Sequence, residues 1–193
     1  MKVELIQKTG LEGLYRAYGT CQKSSNVEKV NIQKALDAGH TSLLEHINYI
    51  FDIEGISRAC SHQLVRHRIA SYAQESQRYV KISGDDWYVV PPNIVDFKAF
   101  HSLMHILEQS YKEMIDRGVP IEDARAILPN CTKTKLVMTI NARSLDNFFT
   151  LRLCKKAQSE IRELAQTMYK LVCDDFFWGA YPKCGECKNV CRS

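Results

Sequence analysis

The 193-residue sequence contains no apolar run approaching the roughly 20 residues that a membrane-spanning helix needs. A signal peptide is not expected either. Met1-Lys2-Val3-Glu4 opens directly into an alternating strand pattern, so a cytoplasmic protein rather than a secreted or anchored one is expected. There is no Gly-x-Gly-x-x-Gly fingerprint, so any dinucleotide must be held by side chains from several elements. Internal repeats and low-complexity linkers are lacking too, and the length suits one domain spanning 1–193. Charge of one sign is not in large excess: the net charge is +4, which suits a small anionic ligand as well as it suits nucleic acid.

Cysteine, by contrast, is plentiful, with eight in the chain. Cys21, Cys60, Cys131, Cys154 and Cys173 stand singly, as reduced residues in or near a core do. Cys184, Cys187 and Cys191 crowd a C-terminal tail, 180–193. They resemble part of a structural zinc site, but no histidine lies beyond His105 to complete it, and no metal is assigned. A redox-sensitive tail is the alternative.

Taken in order, Val3, Leu5 and Gln7 alternate as in a strand, and Leu11 to Cys21 is helical. Ser25 or Asn26 can cap a second helix carrying Val27, Val30, Ala35 and Leu36, with Gly39 as its stop. A polar corner, His40 to His46, opens a strong strand in which Ile47, Tyr49, Phe51 and Ile53 share one face. Gly55 is expected to end that strand and start a helix on Ile56, Ala59, Cys60, Leu64 and His67. Ser71 to Arg78 reads as a polar loop returning to a strand at Tyr79-Val80. Trp87 to Val90 reads as a short strand before Pro91-Pro92. Phe97 through Ile115 marks a long amphipathic helix ended by Gly118, and a short helix spans Ile121 to Ile127. Lys133 to Asn141 alternates as a strand, Ser144 to Leu153 is helical, and Ala157 to Leu171 stripes the last helix. Strands and helices in no steady alternation predict an α+β fold, a mainly antiparallel sheet flanked by helices.

Chemistry concentrates in four polar groups at the ends of these elements. The densest is Arg66-His67-Arg68-Ile69-Ala70-Ser71-Tyr72-Ala73-Gln74-Glu75-Ser76-Gln77-Arg78-Tyr79 with Gln63 before it. Guanidinium forks match phosphate and carboxylate oxygens, so the segment expects an anion. Taken alone, an Arg-His-Arg triplet is also compatible with a solvated basic helix end. His40, Ser42, Glu45 and His46 form a second group, readable as a hydrogen-bonded corner or as loosely spaced metal ligands. Glu122-Asp123-Ala124-Arg125 is the third, where Arg125 can simply pair with Glu122 at i,i+3. Asn141 to Arg152 is the fourth. Arg143 and Asn147 share a helix face there, while Arg152 projects from another beside Leu145, Phe148 and Phe149, where it can also be a snorkelling surface residue.

Arg66, His67, Arg68, Ser71, Ser76, Arg78 and Tyr79 resemble the Arg-His-Arg-x-x-Ser and Ser-x-Arg-Tyr signature of the flavin-dependent thymidylate synthases. Ala73-Gln74 stands where some members have Asn-Glu. The Gly39-His40-x-Ser42-x-x-Glu45-His46, Ala124-Arg125-x-x-Leu128-Pro129 and Asn141-x-Arg143-x-x-x-Asn147-x-x-x-x-Arg152 blocks are similar to that family as well. The resemblance implies a homotetramer with sites shared between subunits, converting dUMP to dTMP. Its carbon donor is 5,10-methylenetetrahydrofolate, its hydride donor reduced FAD and its reductant NADPH. It implies dUMP contacts from Gln63, Leu64, Val65 and Arg66, from Gln74, Glu75, Ser76, Gln77 and Arg78 of another subunit, and from Arg125 and Arg152. It implies FAD contacts from Ser42, Arg66, His67, Arg68, Gln74, Asn141, Ala142, Arg143 and Asn147, and a catalytic role for Arg152 in polarising the uracil.

No protein nucleophile is expected. The matched blocks themselves contain no cysteine, and Cys60, just ahead of the Arg66 block, is placed by periodicity on a buried helix face where a thiolate is disfavoured. A nucleic-acid-binding module is the rival from another class. It requires a continuous basic surface, whereas here the arginines are interleaved with Ser, Gln and Glu as in a specific pocket.

Overall fold

The computed structural model describes residues 1–22, 32–82, 84, 86–175 and 178. The expected cap at Ser25 or Asn26, the helix positions Val27 and Val30, and the tail cysteines Cys184, Cys187 and Cys191 lie outside the described residues. Four strands, β1 (Lys2–Lys8), β2 (Asn48–Ser57), β3 (Ala70–Gln74) and β4 (Lys133–Asn141), form one antiparallel sheet in the order β1-β2-β4-β3. Among the described residues, seven α-helices accompany it: α1 (Glu12–Gln22), α2 (Ile32–Asp37), α3 (Arg58–Leu64), α4 (Lys98–Asp116), α5 (Ile121–Ala124), α6 (Ala142–Arg152) and α7 (Ser159–Lys170). The α+β expectation therefore holds. No helix among the described residues is long and apolar enough to cross a membrane.

Alternation sets the layers. Tyr49, Phe51 and Ile53 of β2 and Leu136, Met138 and Ile140 of β4 turn to one face, each at most 1 % exposed. There they meet Leu64 of α3, Leu145, Phe148 and Phe149 of α6, and Ile161, Leu164 and Met168 of α7. Each such side chain contributes about 1.5–3 kcal/mol through its burial. The C-terminal end of this layer is tied down by Asp175, which accepts from the buried Tyr49 hydroxyl at 2.5 Å and pairs with Lys8.

Several boundaries differ from the periodicity. The second strand does not end at Gly55. It continues to Ser57 through a bulge between Glu54 and Ile56, for which Gly55 supplies a φ of 75°. The helix instead starts at Arg58, because the Ser57 side chain caps it by accepting from the Cys60 N–H at 3.0 Å. That helix closes at Leu64, so Ile56 and His67 are outside it. Ser71 to Arg78 is not one loop: its first half is β3, paired with β4 from Ala70↔Ile140 to Gln74↔Leu136. Tyr79-Val80 is not a strand, because both amides donate back to the Ser76 carbonyl and close a turn. Trp87 to Val90 yields only an isolated bridge, Tyr88↔Thr132. A corner of 3-10 helix over Thr41–His46 separates the strong strand from the polar residues before it.

Candidate active site

The connection from α3 to β3 carries Arg66, His67 and Arg68, and its shape comes from hydrogen bonds to the chain itself. The Tyr72 hydroxyl on β3 lies 3.0 Å from the Leu64 carbonyl and 2.9 Å from that of His67, bridging the end of the helix and the turn after it. Burial pushes the Tyr72 phenol up to about 12, so it stays a donor. The His67 ring stacks edge-on against the buried Phe148 of α6 at 5.0 Å. Its Nε2 accepts from Nε of Arg152, which closes α6, at 3.2 Å. Burial first, and the Arg152 charge second, hold His67 down to about 4, so the imidazole is neutral at pH 7 and accepts at Nε2.

This junction forms one end of a cavity of about 650 Å³, lined by Arg66, Arg68, Arg143 and Arg152 together with Glu45, Asn141, Ser144, Asn147, Ile69 and Leu151. Four guanidinium groups face one carboxylate, and Glu45 is paired with Arg143. Asn141 caps α6, its Oδ1 accepting from the Ser144 N–H at 2.8 Å, which leaves its amide donors for the cavity. Surplus cations, amide donors and the apolar Ile69 and Leu151 suit a ligand with phosphates and a flat, carbonyl-edged ring. That is the chemistry of a flavin nucleotide, so the donor set fits one.

Arg143 and Asn147 share the cavity face. Arg152 keeps the different face its position dictates, yet reaches the same cavity because the Arg66–Ile69 turn folds over the end of α6. Ser42 sits exposed on the 3-10 corner, outside the lining, whereas Glu45 one turn later is part of it. Ala142 is buried and its N–H donates to the Ile47 carbonyl at 2.8 Å. Gln74 also points away: its amide donates to Ser61 of α3 at 2.9 Å and Thr134 of β4 at 3.1 Å, both of them buried residues. Leu64 is fully buried in the core, Val65 is half-buried at the end of α3, and the Gln63 amide donates to Gln158 at 3.3 Å.

A second electropositive corner lies apart. The Nε of Arg78 pairs with the Glu122 carboxylate at 2.9 Å, while Arg125 donates to the Glu122 backbone carbonyl at 3.1 Å. The simple Arg125–Glu122 ion pair is thus replaced, because the Arg78 guanidinium from the turn after β3 takes the carboxylate. Ser76 accepts from the Arg78 N–H at 3.2 Å. Arg58 stands close enough for Arg125, after burial, to lower its pKa. Glu75 and Gln77 line a different concavity of about 500 Å³ in which two lysines meet carboxylates, Lys133 pairing with Asp86, and Lys135 with Asp52 at 3.1 Å. Sequence reasoning placed Glu45 in a polar candidate group but gave it no contact, and it gave none to Ser144, Leu151 or Tyr72. Only the tertiary contact across 98 positions shows Glu45 opposite Arg143.

A family model described as "Thymidylate synthase complementing protein" matches residues 4–176. Among curated proteins, the flavin-dependent thymidylate synthase of Geobacter sulfurreducens is 51% identical over 146 residues, covering 73% of this chain and 63% of its own length. That of Pyrococcus furiosus is 48% identical over 151 residues, covering 75% and 62%. The chain thus spans less than two thirds of the length of these relatives, although it covers 79% of the Clostridium tetani enzyme, at 41% identity over 198 residues and 89% of this chain. A crystal structure of thymidylate synthase X from Helicobacter pylori with FAD and dUMP is similar at a TM-score of 0.74 and 26% identity, over 88% of this chain and 92% of that one.

Proposed function

Because the chain belongs to the flavin-dependent thymidylate synthase family, we propose that it methylates dUMP to dTMP in the cytoplasm, with 5,10-methylenetetrahydrofolate as carbon donor, FAD as hydride carrier and NADPH as reductant. The observation that carries this reading is the cavity in which Arg66, Arg68, Arg143 and Arg152 converge around the neutral His67. Arg66, His67, Arg68, Asn141, Arg143 and Asn147 would hold FAD there. When bound, the flavin supplies the hydride chemistry. The chain's own part is electrostatic. Arg152, fixed in direction by His67, draws negative charge onto the uracil and so raises nucleophilicity at its C5.

A protein nucleophile has no place in this reading. Cys60 is fully buried and its thiol is pushed up by burial, while the Ser76 hydroxyl already accepts within its turn. Arg78 and Arg125 sit at their own corner rather than on the cavity. This favours a nucleotide site completed between copies of the chain, in a homotetramer, with Gln63 to Arg66 on one subunit and Ser76, Arg78 and Arg125 on another. The purified protein should show a flavin absorbance spectrum and form dTMP from dUMP when given 5,10-methylenetetrahydrofolate and NADPH. Protein that cannot take up FAD, or that takes it up without forming dTMP, would overturn the proposal. A fully active monomer in sedimentation would overturn the shared site, and dUMP trapped covalently on Ser76 or a cysteine would overturn the mechanism.

A further inference from the structure

No motif of the sequence singles out α7, yet its first turn ties together the two segments that carry the pyrimidine-site residues of the reading above. Glu160 accepts from the Ser57 N–H and from the Ser57 hydroxyl, both at 2.6 Å. That same hydroxyl accepts from the Cys60 N–H at 3.0 Å, so the start of α3 is closed by a single chain of hydrogen bonds. Gln158, the cap of α7, accepts from the Ile161 N–H at 3.4 Å and from the Gln63 amide at 3.3 Å, near the other end of α3. On the opposite side, Arg162 donates to the carbonyls of Lys155 at 2.7 Å and Ala157 at 3.1 Å, in the connection that follows Arg152. Three side chains at one helix end thus hold both the segment leading into Arg66 and the segment leading out of Arg152.

The physics favours Glu160 as the member that matters most. Ser57 is 2 % exposed, so a lost partner there is not replaced by bulk water. A carboxylate beside the first amides of a helix meets their unsatisfied N–H groups and the positive end of the peptide dipoles. The α3 helix is only 7 residues long and depends on tertiary contacts for its direction. Displacements of about 1 Å at a reacting centre can cost about 10²-fold in rate.

We propose that Glu160 is a positioning residue: through Ser57 it sets the direction of α3, and with Gln158 and Arg162 it keeps the Gln63–Arg66 segment in register with Arg152. The proposal rests on the functional reading above. Its test uses the full chain carrying FAD and compares Glu160→Ala, Glu160→Gln and Ser57→Ala with wild type for KM of dUMP, kcat, flavin content and melting temperature. Glu160→Ala should raise KM for dUMP about tenfold while flavin content is retained. Glu160→Gln, whose carbonyl still accepts from the Ser57 N–H, should recover most of that loss, and Ser57→Ala should follow Glu160→Ala. A lowered melting temperature with KM and kcat within twofold of wild type would reduce Glu160 to a structural role and overturn the proposal. If Glu160→Ala does not fold, an unmoved KM in folded Ser57→Ala overturns it equally. Wild type that forms no dTMP would sink the functional reading and this proposal together, whereas an active wild type with an unmoved Glu160→Ala sinks only the positioning role.

Discussion

The Nε of Arg152 lies 3.2 Å from Nε2 of His67, a residue 85 positions away in the chain. An imidazole that accepts at Nε2 carries its proton on Nδ1, so it spends its lone pair on one arm of the guanidinium and leaves the other donors for the cavity. The Phe148 ring, edge-on to His67 at 5.0 Å, keeps the imidazole from turning away.

Replacing Arg152 with alanine should lower turnover by on the order of 10²-fold, the scale of losing one preorganised charge-stabilising group. Arg152→Lys should recover little, since a lysine has no Nε fork to share between His67 and a substrate. Steady-state kinetics on both variants checks this, and a lysine enzyme near wild-type rate would contradict it.

Stability should depend on pH through His67. Its folded pKa, about 4, lies below the ordinary imidazole value of about 6.5. The unfolded chain therefore binds the extra proton first, and stability falls as pH drops from about 6.5 toward 4, with no contribution above that window. Melting curves at pH 7 and pH 5 for wild type and His67→Asn should show the smaller loss in the variant; equal losses would exclude His67 as the cause.

The Arg78–Glu122 pair is half exposed on both sides, so it contributes only about 0–1 kcal/mol to folding. Arg78→Ala should leave the melting temperature almost unchanged while weakening dUMP binding, measured by titration. A large drop in melting temperature with unchanged affinity would assign Arg78 to the scaffold instead.

Gln74 should behave in the opposite way. Its amide satisfies the buried hydroxyls of Ser61 and Thr134, so Gln74→Leu should cost roughly 1–3 kcal/mol of stability. Gln74→Glu, which has no N–H to donate and meets a Ser61 hydroxyl already given to the Arg58 carbonyl at 3.0 Å, should not recover that loss. Denaturant unfolding of the two variants decides it, and equal stability of all three proteins would mean the tie is not made in solution.

Local order was legible in the chain wherever one period ruled. The alternation of Lys133 to Asn141 and the stripe from Ala157 to Leu171 match β4 and α7 because each buries one continuous face. The misread stretches are those where a side chain serves the interior while resembling a ligand group. In Ser71 to Gln74, Tyr72 and Gln74 turn inward to carbonyls and hydroxyls of other elements, which hides the strand behind polar letters.

The sequence by itself determined the family, the α+β class and the presence of arginine-rich segments in separate blocks, because residue type, spacing and periodicity are properties of the chain. Only the tertiary structure decided which of those arginines meet. Arg152 joins Arg66 and Arg68 through His67, whereas Arg78 is drawn off to Glu122. That choice belongs to sheet register and helix packing, which bring together groups far apart in the chain, such as Glu45 and Arg143, 98 positions apart. No local pattern encodes such distances; burial of the shared core does.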